Sequence, residues 1–291
     1  MKIRHVAPII AMLVLPIAVL GATGSEARHS SASRTDAALM TAIASPKRPL
    51  ADRVRDPARH PLASLSFWGI RPGITLIDLQ PEGGYWTEIL APYLAKTGGT
   101  YIAGVTDLDD PNENTGLKAN RLQFEASHKN RIRYGTIRYA AFGEVSGPLA
   151  PPNSVDVVLS AREVHKWIQG KFFDKALKDI FSALKPGGFF AVEEHRADPI
   201  TPPPGSYTGY VNTKTVIDAA LRAGFVLDGS SEINANPKDI KDYPFGVWTL
   251  PPVRLSDGAG HTSLTDRERA QYDAIGESDR MTLRFRKPAN P

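Results

Sequence analysis

The chain has 291 residues, 42% of them hydrophobic and 23% charged, a globular composition long enough for one large domain or two small ones and too apolar for disorder. A net charge of +4 is too small to imply a nucleic-acid partner. Cysteine is absent, which excludes disulfides, thiolate metal sites and cysteine nucleophiles.

Residues 1–24 pair a basic head (Lys2, Arg4) with an apolar stretch from Val6 to Leu20 and then the small residues Ala22 and Gly24. This is the layout of a secretory signal peptide cleaved before Ser25. The stretch is shorter than the ~20 residues that span a bilayer and carries Pro8 and Pro16, so no membrane association is expected after cleavage. Residues 25–52 are small and polar and read as a flexible linker with at most one short helix, in TDAALMTAIA. The folded domain is expected over 53–288.

PLASLSFWGIRPG reads as a short helix closed by a turn, and ITLIDL as a buried first strand. After Gly84, the residues Trp86, Ile89, Leu90, Tyr93 and Leu94 recur at helical spacing, with Pro92 placed to kink or shorten the helix. TYIAGV is a second strand, residues 117–128 supply a helix, RIRYGTIRYA alternates as a third strand and SVDVVLSA is a fourth. Phe173, Ala176, Leu177, Ile180, Phe181 and Leu184 form a helical stripe stopped by Lys185-Pro186-Gly187-Gly188, with glycine as a left-handed cap. FFAVEE enters a fifth strand, a helix follows over 215–223, FVLDGSSEI is a sixth strand and MTLRFRK a seventh. This alternation predicts a mostly parallel sheet covered on both faces. Residues 234–279, rich in Pro, Gly and Asp, are too long for an idle connection and read as a candidate lid.

Ligands of such sheets bind beyond the carboxyl ends of the strands, and LIDLQPEGGYW is placed for that. The G-x-G-x-x-G fingerprint is missing, which disfavours NAD and FAD, and so are the G-x-x-x-x-G-K-[ST], G-x-S-x-G and H-E-x-x-H motifs. The turn is either a cofactor loop or a tight strand-to-helix turn that binds nothing.

LIDLQPEGGYWTEIL, TYIAGVTD, SVDVVLSAREVHKW, ALKPGGFFAVEEHR and LRAGFVLDGSSEI, in that order, resemble the class I S-adenosylmethionine-dependent methyltransferases. INANPKDIKDYPFGVWTLPP and AIGESDRMTLRF are similar to the exported branch of predicted methyltransferases in Gram-negative bacteria. The resemblance covers roughly Arg53 to Pro288. It implies an α/β fold with a seven-stranded, mostly parallel, Rossmann-like sheet, helices on both faces and the last strand antiparallel. It also implies an exported, periplasmic protein that transfers a methyl group from S-adenosylmethionine to a small-molecule or exported acceptor. By the same resemblance Asp78, Gly83 and Gly84 form the turn around the methionine half of the cofactor; the substituted turn itself would set the Glu82 charge beside the cofactor's carboxylate and bring Tyr85 into the site. An acid after the second strand, Asp107 unless the position falls on Thr106, holds the ribose. The family turn reads acid-x-G-x-G-x-G, and here Gln80 and Glu82 stand at the first two glycines. Side chains there disfavour positive φ, so a wider turn donating N–H groups from Gly83 to Tyr85 is the expected compensation. The alternative function is a non-catalytic exported binding protein that kept the fold and lost the cofactor.

Three further residues are candidates for catalysis. His165, leaving the fourth strand, is either a proton shuttle or a histidine that hydrogen-bonds a loop. At the exit of the fifth strand Glu193 and Glu194 point to opposite faces. Glu194 is taken with His195 as facing the pocket, or the two close a loop with Arg196. His165, Glu194 and His195 show no recognisable ligand spacing, and no metal is expected. Tyr207, Tyr210 and Tyr243 are expected to overhang the same rim, and the oligomeric state is not readable.

Overall fold

The computed structural model describes residues 37–289, apart from 204 and 259. Residues 1–36, which include the expected signal peptide and the first part of the expected linker, lie outside the described residues.

Seven strands form one sheet: β1 (Thr75–Leu79), β2 (Thr100–Val105), β3 (Arg138–Ala141), β4 (Val155–Ala161), β5 (Leu184–His195), β6 (Val226–Ser231) and β7 (Arg280–Arg286). Their order is β3-β2-β1-β4-β5-β7-β6, parallel from β3 to β5, with β7 antiparallel to both β5 and β6. The fold is therefore the expected α/β Rossmann-like sheet with its last strand antiparallel. The chain runs outward from β1 through β2 to β3, then returns to lay β4 on the other side of β1. That reversal leaves a crevice at the carboxyl ends of β1 and β4, where helices depart to opposite faces.

Ten helices of the described residues are labelled in chain order: α1 (37–43), α2 (Leu50–Arg53), α3 (Asp56–Arg59), α4 (Pro61–Phe67), α5 (Thr87–Thr97), α6 (Thr115–Ser127), α7 (Arg131–Tyr134), α8 (Val164–Gln169), α9 (Phe173–Ala183) and α10 (Thr213–Arg222). A further helix, α11 (Asp266–Ile275), lies in the long insertion. In α5 the side chains of Ile89, Leu90, Tyr93 and Leu94 are at most 1% exposed, each large aliphatic contributing about 2 kcal/mol of burial. They join Trp68, Leu76, Tyr101 and Leu159 in a core on one face of the sheet. The stripe of α9 packs with Val158, Phe190 and Leu283 on the other face.

Four expectations need correction. Pro92 does not shorten α5, which continues to Thr97 and ends at Gly98 with φ 77°. The third strand is shorter than RIRYGTIRYA, because the Asn130 side chain accepts from the N–H groups of Ile132 and Arg133 and caps the single turn of α7. Helix α9 ends with extended Leu184 rather than with glycine, and Gly187 carries its left-handed φ of 81° inside β5. Packed chain begins well before Arg53: Leu39 is buried in the core against α5, and the buried Arg48 makes a two-pronged contact with Asp56 at 2.8 Å. The expected linker rested on small polar composition, which does not reveal these two anchors.

The insertion is clamped at its ends. Asp239 accepts from the hydroxyls of Tyr210 and Tyr243 at 3.0 Å and from the N–H of Asp279 at 2.7 Å. Asp279 in turn takes both prongs of Arg196. No helix among the described residues is long and apolar enough to cross a membrane.

Candidate functional site

A cavity of about 250 Å³ opens at the crevice. Its walls are the end of β1 with the turn that follows, the exit of β4 (Ala161–Glu163) with His165 and Lys166, and His195 at the end of β5. Val247, Trp248 and Leu250 of the insertion roof it.

The turn after β1 departs from expectation in an informative way. Gln80 has φ 49°, Glu82 φ 45° and Gly84 φ 80°, so the two residues standing at glycine positions adopt the left-handed conformation glycine would. For an L-residue this costs roughly 1–2 kcal/mol. Neither side chain fills the cavity. Gln80 Oε1 accepts from Trp167 Nε1 at 2.6 Å, and the Glu82 carboxylate, 60% exposed, pairs with Lys166. The turn thus keeps glycine-like backbone at both substituted positions, and the N–H of Gly84 is spent on Pro81 O at 2.8 Å. Gly83 has open space on its Cβ side, whereas a Cβ on Gly84 would meet the His128 ring at 2.8 Å.

The same turn walls a second cavity of about 420 Å³ with Val105, Thr106, Asn120, Arg121, Phe124 and His128. Thr106 lines it and Asp107 does not; the Asp107 carboxylate accepts instead from the N–H of Asp109 at 3.0 Å. Glu82 is the only carboxylate among its described lining residues.

Asp78 is buried at the tip of β1 and accepts from Tyr101 Oη at 2.7 Å, which also meets Thr87 Oγ1 at 2.7 Å. Burial pushes its carboxyl up to about 7, against the lowering effect of the Tyr101 hydrogen bond. Tyr85 lines the cavity with its ring, but its hydroxyl is committed to Asp56 Oδ1 at 2.7 Å and the Arg59 guanidinium lies 4.4 Å from the ring centroid.

His165, Glu194 and His195 come together. Glu194 is fully buried; Oε1 faces His165 Nδ1 at 3.0 Å and accepts from the N–H of His195 at 2.7 Å, while Oε2 accepts from the N–H of His165 at 3.1 Å. A carboxylate offers acceptors only, so Nδ1 of His165 carries a proton, and in the neutral ring Nε2 carries the lone pair. That Nε2 is buried and meets no hydrogen-bond partner among the described residues. His195 Nδ1 contacts Ser278 Oγ at 2.6 Å. Enclosure, with the Arg280 and Lys166 charges nearby, holds His195 well below the usual imidazole range.

Lys166 and Glu163 were not among the candidates that the sequence offered. Burial pushes the Glu163 carboxyl well up, opposed by Lys166 at 3.1 Å; the i,i+3 spacing of the pair was a readable signal. Arg55, which also lines the cavity, is held by Glu277 at 2.8 Å, a partner too distant in sequence to anticipate. Tyr207 lies by the rim, its ring 4.8 Å from Trp248 and 6.1 Å from His165. Tyr210 and Tyr243 bind Asp239 and do not line the cavity.

No protein-family model matches the chain. Among solved structures it is similar to the [4+2]-cyclase SpnF, at 14% identity over 82% of this chain and 81% of that one, with a TM-score of 0.48. It is also similar to a SAM-dependent methyltransferase from Aquifex aeolicus (20% identity, 63% and 91% covered, TM-score 0.45). A third is the 1,6-didemethyltoxoflavin-N1-methyltransferase of Burkholderia thailandensis with bound S-adenosylhomocysteine (14%, 94% and 93%, 0.42). The fold assignment rests on the strand order and registers above.

Proposed function

We propose that the chain is a class I S-adenosylmethionine-dependent methyltransferase. One observation carries the reading: Gln80, Glu82 and Gly84 hold left-handed φ at the tip of the switch-point strand, and the turn they make has a cavity on each side. The two volumes fit an elongated ligand with two polar halves, within the range of about 300–1,000 Å³ usual for small-molecule sites.

The backbone from Pro81 to Gly84 would hold the methionine half of the cofactor, and Thr106, Gln123 and Phe124 the adenosine half. Thr106, the other position the resemblance allowed, would stand by the ribose in place of Asp107. When bound, the cofactor supplies an electrophilic methyl group. The chain's own residues do the rest. Trp248 and Leu250 cover the cavity and exclude water, and Glu194 fixes the tautomer and orientation of His165. Nε2 of His165 then takes a proton from the acceptor's nucleophile. The acceptor is a small molecule or an exported macromolecule, and the signal-peptide reading of residues 1–24 would put the reaction in the periplasm.

The second reading, a binding protein without catalysis, draws on the Glu82–Lys166 pair that bridges the turn to α8 and on Asp107 being turned to its own loop. Calorimetric titration with S-adenosylhomocysteine separates the two: saturable binding supports the first reading, and its absence at millimolar ligand the second.

A further inference from the structure

Strand β4 ends at Ala161 and hands the chain to α8 through Arg162 and Glu163. Arg162 holds left-handed backbone there, with φ 68° and its N–H donating to Glu193 O at 2.7 Å. A residue other than glycine at positive φ is costly, and such residues cluster where the surrounding fold enforces them beside functional sites. Building on the methyl-transfer reading, we infer that Arg162 determines acceptor specificity: its guanidinium pairs with a carboxylate of the acceptor, which is a small organic acid.

The other charged residues in the wall of the cavity of about 250 Å³ each have a partner. Arg55 is held by Glu277 at 2.8 Å, Lys166 is shared between Glu82 and Glu163, and Asp78 takes the Tyr101 hydroxyl. Arg162 lines the same cavity, yet its guanidinium has neither hydrogen bond nor ion pair among the described residues, and its Nε is sealed from solvent. An enclosed donor without an acceptor is costly, and an enclosed cation without an anion is more so. A ligand carboxylate removes both costs, because its two oxygens match the parallel N–H groups of the guanidinium fork.

His165 follows Arg162 by three residues, and both line the cavity. The exit of β4 therefore presents a cation and a proton acceptor to one ligand, while the turn after β1 forms the cofactor's part of the wall. Tyr85, Trp86 and Trp248 also line the space, so the acid it fits carries a flat, apolar body. The same guanidinium disfavours the uncharged amide of that acid, which would leave Arg162 without an anion.

The test titrates the full chain with benzoate, phenylacetate and indole-3-acetate, each against its uncharged amide, by calorimetry. The expected result is saturable binding of at least one of these acids with Kd on the order of a millimolar or tighter, its amide binding at least about tenfold more weakly. Arg162→Met removes the acid's advantage over the amide. Arg162→Lys, which keeps the charge and loses the fork, recovers part of it, and S-adenosylhomocysteine binds both variants as it binds the wild type. No saturable binding of any of the three acids by the wild type overturns the inference, as does an acid-to-amide ratio unchanged in folded Arg162→Met. A loss of S-adenosylhomocysteine affinity of the same size in Arg162→Met also overturns it, since the guanidinium then serves the cofactor's carboxylate. Should Arg162→Met fail to fold, the wild-type ratio and Arg162→Lys decide. A wild type that binds S-adenosylhomocysteine and none of the acids loses this inference alone, whereas one that binds an acid through Arg162 and no S-adenosylhomocysteine keeps the carboxylate subsite and loses only the methyl-transfer reading.

Discussion

The indole Nε1 of Trp167 donates to Oε1 of Gln80 at 2.6 Å, tying the turn after β1 to the helix after β4. With the Lys166–Glu82 pair beside it, α8 holds the two residues that stand in left-handed backbone at the turn. The side chains that make this conformation costly are thus drawn aside toward α8, and the backbone face of the turn stays open to both cavities.

Glu82 separates strain from contact. Glu82→Gly relieves roughly 1–2 kcal/mol of left-handed backbone and loses an exposed ion pair worth at most about 1 kcal/mol. Glu82→Ala loses the pair and keeps the strain. Thermal melts should show the glycine variant more stable than the alanine variant by about 1 kcal/mol, or about 2–4 °C in Tm. An alanine variant equal to or above the glycine variant would contradict the strained-turn account.

Asp78 should make stability fall as pH rises. Its carboxyl titrates at about 7 in the folded chain against about 3.9 unfolded, so the folded state binds the extra proton between these values. The stabilisation is complete below about pH 4 and is lost as pH rises through about 7, by roughly 4 kcal/mol in all. Asp78→Asn keeps an acceptor for Tyr101 and removes the titration. Unfolding free energies should show the variant gaining on the wild type from pH 4 to 7 and levelling off above 8; a difference flat with pH would refute the assignment.

Arg280 holds two buried carboxylates, Glu193 Oε1 at 2.9 Å and Glu277 Oε2 at 2.8 Å. Burial pushes the Glu193 carboxyl up and Arg280 opposes it. Arg280→Met should cost about 3–5 kcal/mol in urea unfolding by stranding buried charge. Adding Glu193→Gln should recover part of that loss, and a double variant no more stable than the single would argue against charge as the cause.

Much of the fold was legible because buried strands and striped helices leave periodic signals: ITLIDL, SVDVVLSA and the α9 stripe each form the element their spacing implied. RIRYGTIRYA misled because Asn130, just outside the alternating run, caps a helical turn that period-two reasoning does not see. The site was legible as a location, since β1, β4 and β5 end where the candidates lie. Its internal wiring was not: Gln80 finds Trp167 at a separation of 87 residues and Arg59 finds Glu277 at 218. Nor could sequence show that Gln80 and Glu82 accept the backbone of glycine, because local preference alone argues the opposite and only the surrounding fold overrides it.

Calorimetric titration of the full chain with S-adenosylhomocysteine tests the central claim most directly. The account predicts one saturable site per chain and a rise in Tm with ligand, as selective binding to the folded state requires. Absence of heat and of any thermal shift at millimolar S-adenosylhomocysteine would contradict it.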